Sequence, residues 1–205
     1  MKNHHFIAGG IGVLILAICF ASCAPPKWVA GGGCGFTNFN GSDASDWSTG
    51  SRLDLFVAAQ YDMEDKVDFP LTFRPTASFV KRGADFKGMG SFNFTDRLRM
   101  SYVYVEGEGS TDIVEDKLDV VVAPTLGYLI TAVSDFDDGQ GSSEKTTVTE
   151  NYQNVDFGGR AGLRYHFTDR FEVNLSYYQG FTSVRENFSV KNNGFAFRMG
   201  YKFGE

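Results

Sequence analysis

The sequence predicts an all-β fold, a transmembrane antiparallel up-and-down β-barrel of eight strands, with ten strands as the alternative. Three observations carry that prediction. Apolar and polar residues alternate through nearly the whole chain after residue 27, connections alternate between short and long, and the strand faces are bulky and apolar on one side and charged or small on the other. Helix-period patterning is almost absent, and period-2 runs are the mark of strands. Glycine (24 residues) and aromatics (15%) punctuate those runs, as they do in sandwiches and barrels.

The first 23 residues, MKNHHFIAGGIGVLILAICFASC, begin basic, run apolar over 6–20 and end on small residues. That is the pattern of a secretory signal, and an apolar run of about 15 residues is shorter than the roughly 20 a spanning helix needs. Residues 1–23 are therefore expected to be a signal peptide and residues 24–205 the barrel domain. Two cleavages fit. Phe20-Ala21-Ser22-Cys23 is similar to a lipoprotein signal, in which Cys23 becomes the lipid anchor, although Phe20 stands where leucine is usual; ordinary cleavage after Ala21 is the alternative. Removing the signal takes away Lys2 and no acid, so the net charge of -6 becomes -7. A mildly acidic exported chain is a poor partner for nucleic acid, whose phosphates are met by Lys/Arg clusters. Cys34 has no dependable partner, no Cys/His set has metal-ligand spacing, and no cofactor is expected.

Eight segments alternate: 28–39, 52–62, 67–81, 97–107, 118–131, 155–167, 171–182 and 193–203. The connections 63–66 and 168–170 are tight and 108–117 is of medium length, whereas 40–51, 82–96, 132–154 and 183–192 are long. Short turns at one end and long polar loops at the other are the topology of barrels of the Gram-negative outer membrane. It puts the long loops outside the cell and the termini in the periplasm. The repeated Phe-Thr-Asp-Arg at 94–97 and 167–170 reads as turn chemistry. Its first copy falls at the outer end of a strand, and the ten-stranded alternative adds hairpins at 84–94 and within 135–153.

The two faces decide what surrounds the strands. One face carries Val67, Phe69, Leu71, Phe73, Ala77 and Phe79, then Leu118, Val120, Val122, Leu126, Tyr128 and Ile130, and ends with Phe195, Phe197, Met199, Tyr201 and Phe203. So many large side chains overfill an eight-stranded interior, but meet no such limit against lipid. The other face carries Asp54, Asp68, Arg74, Arg97, Arg99, Asp119, Asp156, Arg160, Arg164, Glu172, Asn174, Arg198 and Lys202, with small residues between them. Both signs occur in similar numbers, as an ion-pair network inside a lumen requires. The network is expected to comprise Asp68, Arg74, Arg97, Arg99, Asp119, Asp156, Arg160, Arg164, Glu172, Arg198 and Lys202. Trp28, Tyr61, Phe167, Phe171 and Phe203 fall beside short turns or termini, at the height of a periplasmic aromatic girdle.

Several stretches then carry a family resemblance. WVAGGGCGFTNFNGS at 28–42, LDVVVAPTLGYLIT at 118–131 and the closing FEVNLSYYQGFTSV and NGFAFRMGYKF at 171–184 and 193–203 resemble the PorT-type outer membrane protein beta-barrel domain family of Bacteroidota. The resemblance spans nearly all of the mature chain and consists of strand patterns rather than chemistry. The chain departs from it by ending in Phe203-Gly204-Glu205 instead of at the aromatic. It implies a structural or accessory subunit of an envelope or secretion assembly.

Chemistry is hard to build from what remains. His166 is the histidine outside the signal, expected inward at the periplasmic end beside Arg164, where a base is of no use to a site at the outer face. Asp135, Asp137, Asp138 and Glu144 offer oxygen ligands in the acidic loop 135–144, but Gly139 comes one residue early for an EF-hand. An enzyme is not expected. The expected partners are outer-membrane lipid and, through a lipid-facing strand or the 132–154 loop, other envelope proteins. The alternative function is a small-molecule or lipid-binding barrel, in the membrane or secreted like a lipocalin.

Overall fold

A computed structural model describes residues 27–44, 47–62, 72–87, 95–138, 142–186 and 188–203. The signal segment, Cys23 and Asp68 lie outside the described residues, as do Val67, Phe69 and Leu71. Nine strands are described: β1 (Lys27–Asn40), β2 (Trp47–Asp62), β3 (Thr72–Lys87), β4 (Thr95–Val114), β5 (Leu118–Asp137), β6 (Ser143–Thr147), β7 (Val155–His166), β8 (Phe171–Ser183) and β9 (Lys191–Phe203). All pair antiparallel, in the order β4-β3-β2-β1-β9-β8-β7-β5-β6, and β4 also pairs with β5. That last pairing closes an eight-stranded ring, with β6 attached to β5 outside it. The ring leaves its strands no free edge, as hydrocarbon demands of any spanning backbone.

The hairpins at one end are short. Asp116 takes φ 57 in the 115–117 turn, a conformation aspartate tolerates better than most residues, and Phe167 N–H donates to Phe171 O across the 167–170 turn. The chain ends of the ring, Lys27 and Phe203, lie at this same end, here called the terminal end. The long connections gather at the opposite, loop end. Here Gly41, at φ 125, lies so close to Ser189 that a Cβ would sit 1.7 Å from its carbonyl oxygen, so only glycine fits.

Four strands outrun the sequence expectation, β2 from Trp47, β5 to Asp137, and β3 and β4 besides. β3 reaches Lys87 and β4 runs over 20 residues from Thr95 to Val114, so the medium connection 108–117 shrinks to 115–117 and part of the loop 82–96 is strand. Pairing decides this: β3 and β4 stay in register from Thr72↔Ser110 to Lys87↔Thr95, and each new backbone pair extends the ladder whatever the side chains prefer. The hairpin expected within 135–153 exists as β5–β6, but it adds no strand to the ring. It belongs to a flap of β2, β3, β4, β5 and β6 that rises past the mouth on one side.

The outward faces are bulky and apolar. Leu55, Val103, Val122, Leu163, Leu175, Phe195 and Phe197 are all exposed. From Val103 to Ile113 strand β4 rises roughly 34 Å at about 3.4 Å per residue, and a tilt near 40° brings that to about 26 Å, close to the apolar band of a spanning barrel. Trp28, Phe167, Phe171 and Phe203 are exposed and Tyr61 is half-buried, all at the terminal end. Trp28 stands opposite Phe203 in the β1–β9 register, while Phe171 packs edge-on against Tyr201 and Phe167 against Tyr165 at 5.0 and 4.9 Å.

Candidate functional site: the barrel lumen

The inward faces form two layers. The layer toward the terminal end holds most of the buried charge. Over both layers, six arginines (52, 74, 82, 160, 164, 198) and six acids (54, 106, 108, 119, 156, 172) are buried among the described residues. This balance lets every charge find a partner, the condition for carrying ions in a dry interior.

One chain of pairs runs through the lower layer. Arg52 Nη2 meets Asp54 Oδ2 at 3.0 Å, and Arg198 Nε reaches the same oxygen at 3.0 Å. Arg198 Nη2 continues to Glu106 Oε1 at 2.9 Å, and Arg160 Nη2 lies 2.6 Å from both Glu106 Oε2 and Glu108 Oε2. Arg164 pairs with Glu108 and, at 3.0 Å, with Asp119. Arg74 Nη1 donates to Glu172 Oε1 at 2.5 Å, and Lys202 Nζ stands 3.8 Å from Glu172 Oε2. β9 and β4 face each other across the ring, as do β3 and β8. The pairs Arg198–Glu106 and Arg74–Glu172 therefore span the full width of the lumen. A cavity of about 10 Å³ between Arg74, Glu108, Arg160 and Glu172 is what remains open there, room for about one water.

The upper layer is aromatic. The Arg82 guanidinium carbon stands 4.4, 4.8 and 5.4 Å from the ring centres of Tyr178, Tyr104 and Tyr102, contacts worth about 0.5–2 kcal/mol each. Its charge is met by Asp156, 3.5 Å away, which also accepts hydrogen bonds from Tyr104 Oη at 2.5 Å and Asn192 Nδ2 at 2.9 Å. Glycines opposite make the space: a Cβ on Gly127 would meet the Tyr104 ring at 2.4 Å, and one on Gly158 the Tyr178 hydroxyl at 2.5 Å. Above, Phe39, Leu98, Met100, Leu129, Val184 and Val190 form an apolar lid with Val148 and Tyr152 packed on it. Loop backbone fixes that lid, through Val148 N–H to Ala132 O and Gln153 N–H to Val184 O, both at 2.9 Å.

The structure places the expected network residues in three groups. Arg74, Asp119, Asp156, Arg160, Arg164, Glu172 and Arg198 are buried in the lumen and Lys202 is half-buried at its terminal end. Asp68 lies outside the described residues. Arg97 and Arg99 are corrections, since both are exposed on the outer face. At their height the inward positions of β4 belong to Leu98, Met100 and Tyr102. Above the hydrocarbon, outward charge is solvated, so the alternation inverts. The sequence reading also missed Arg52, Arg82, Glu106 and Glu108. Continuing the parity of β3 through Ser78 and Val80 would have reached Arg82, and that of β4 through Tyr102 and Tyr104 would have reached both glutamates.

His166 is half-buried at the terminal end, its Nε2 3.0 Å from Asp119 Oδ2 and its Nδ1 3.3 Å from Lys202 Nζ. The acidic loop does not converge either. Asp135 faces Lys145 at 3.7 Å and accepts a hydrogen bond from Ser143, and no group of three or more metal-ligating side chains occurs among the described residues.

A closed eight-stranded ring, a lipid-facing apolar band and an ion-paired lumen define a small transmembrane β-barrel. The chain belongs to the family described as "Outer membrane protein beta-barrel domain", whose model matches residues 27–186, and it is thus a barrel of the bacterial outer membrane. Solved structures with a similar fold include Ail, the attachment invasion locus protein of Yersinia pestis, in complex with the heparin analogue sucrose octasulfate (TM-score 0.54, 15% identity, 88% of this chain and 100% of that one). A second Ail crystal structure gives a TM-score of 0.53 at 14% identity, with the same coverage of both chains. Neisserial surface protein A gives 0.47 at 13% identity over 86% of this chain and 97% of that one. At such identities the likeness is one of fold. No curated protein matches the chain.

Proposed function

We propose that this barrel is a structural, non-catalytic subunit of an envelope or secretion assembly, of the PorT type found in Bacteroidota, with its long loops outside the cell and its termini in the periplasm. The observation that carries the reading is the plugged lumen. Ion pairs cross it at two heights and leave about 10 Å³ beside them, so neither a solute path nor a ligand chamber is available. The surfaces that remain for function are the lipid-facing strands and the loops.

Among the loops, 132–154 is the best placed for a contact. β6 pairs with β5 alone among the described strands, and all five of its residues are exposed. An exposed edge of this kind accepts an added strand from a partner. Cys23, if acylated, supplies a second tether in the leaflet at the terminal end.

Pull-down from stabilised detergent extracts tests the role. Envelope proteins should co-purify with the full chain and be lost when 139–147 is replaced by a Gly-Ser linker, while the heat-dependent gel shift of the barrel persists. A chain that purifies alone, or one whose companions survive the replacement, would overturn the loop as the contact. Intact-mass measurement of the mature chain decides the tether: acyl mass on Cys23 supports it, and a chain starting at Ser22 removes it.

A further inference from the structure

The exposed basic residues on the outer face of the flap stand in a definite order. Cross-strand rows can be followed outward from the apolar band. Leu55, Phe79, Val103 and Tyr128 form one row, wholly apolar or aromatic. Leu53, Lys81, Ser101 and Thr131 form the next, and Gly83, Arg99 and Val133 the one beyond. Asp85, Arg97, Asp135 and Lys145 form the outermost row.

The outermost row alternates in sign and balances itself, with Lys145 3.7 Å from Asp135. The two rows beneath it do not. Lys81 and Arg99 are exposed and lie diagonally adjacent on β3 and β4, and no carboxylate shares either row. Among the described residues no ion pair forms with either one; Lys81 Nζ lies 5.9 Å from the Phe79 ring centre, over the apolar row below. Gly83 presents no side chain between them: even a Cβ there would come no nearer to Arg99 than 4.0 Å at Cγ. The hydroxyls of Ser101 and Thr131 stand on the same half-exposed strip.

Two cations, two hydroxyls and a bare backbone, directly above a row of lipid-facing apolar side chains, make an anion site whose ligand must also be greasy. We propose that Lys81 and Arg99 hold the phosphate of a phosphorylated lipid in the leaflet at the loop end, its acyl chains lying along Phe79 and Val103. Arginine and lysine both bind phosphate, arginine by paired N–H donors and lysine as a point charge. Such cations cost little at the edge of the hydrocarbon and several-fold more at its centre, so their height is compatible with a headgroup rather than a tail. A soluble anion would use the charges and ignore the apolar row.

The test uses the full chain in mixed micelles, with bound lipid counted by native mass spectrometry. The probes are lipid A, lipid A with its phosphates removed, and inorganic phosphate as competitor. The full chain should retain lipid A at least tenfold better than the dephosphorylated form. Lys81→Gln/Arg99→Gln should erase that preference, and Arg97→Gln, in the balanced row, should keep it. Equal retention of the two lipids, or a preference that survives the double substitution, would overturn the site. Displacement of lipid A by millimolar inorganic phosphate would overturn the lipid as its ligand. If the double variant fails to show the heat-dependent gel shift, Lys81→Gln alone is read instead, with a drop of at least threefold expected and no change overturning the proposal. Micelles contain no partner and impose no orientation, so failure here leaves the assembly role standing.

Discussion

Arg198 shows how much one side chain in the lumen carries. It holds Asp54 of β2 at 3.0 Å and, across the ring, Glu106 of β4 at 2.9 Å, and both carboxylates are almost wholly out of solvent. Removing one member of a buried ion pair leaves an uncompensated charge and costs about 3–5 kcal/mol. Arg198→Ala should lower stability by that order, read as the urea midpoint of the heat-dependent gel shift. The double variant Arg198→Met/Glu106→Gln leaves Asp54 with Arg52 and Arg160 with Glu108, and should regain most of the loss. Arg99→Ala, on the outer face, should change the midpoint by no more than about 1 kcal/mol. Equal effects at positions 198 and 99 would contradict the face assignment. Gly127 makes a different point. Any side chain there meets the Tyr104 ring, and that ring is held by its hydroxyl on Asp156. Gly127→Ala should cost about 1–3 kcal/mol as overpacking, and Tyr104→Leu should partly relieve it.

At the scale of elements, the row Leu163–Leu175–Phe197 lies at mid-height on β7, β8 and β9 with each side chain turned outward and exposed. Leu175→Arg places a cation near the middle of the bilayer, where it costs about 2–4 kcal/mol, and should abolish or sharply reduce insertion into vesicles. Its inward neighbour Ser176 is buried against Gly162 and answers to volume instead. Much of this face pattern was readable from parity alone, because a side-chain period of two forces each strand to declare its sides. Strand ends were readable beside the tight turn that joins β7 to β8, but not where the ladders outrun the expected connections. β4 keeps its ladder past residue 107 although 108–117 reads as a connection, because β3 pairs with it as far as Ser110 and β5 as far as Val114. At the other end, the extension of β3 to Lys87 carried Arg82 into the lumen, while Arg97 and Arg99 share the outward parity of Val103.

For the molecule as a whole, the balance of six buried arginines against six buried acids and the pairs that cross the ring make the lumen a solid core. The purified barrel should pass no steady current in a planar bilayer; an ohmic conductance would mean that the pairs Arg198–Glu106 and Arg74–Glu172 do not close it. The alternation from Trp28 to Phe203 by itself determined the class of fold, which face meets lipid and most members of the charged lumen, since these follow from local period and residue type. Only the tertiary structure decided which arginine meets which acid, that the upper lumen is aromatic, and that the basic residues of the flap stand outside. Those facts depend on residues 92 and 98 apart in sequence meeting across the ring, as in Arg198–Glu106 and Arg74–Glu172, a closeness set by closure and register that no local pattern encodes.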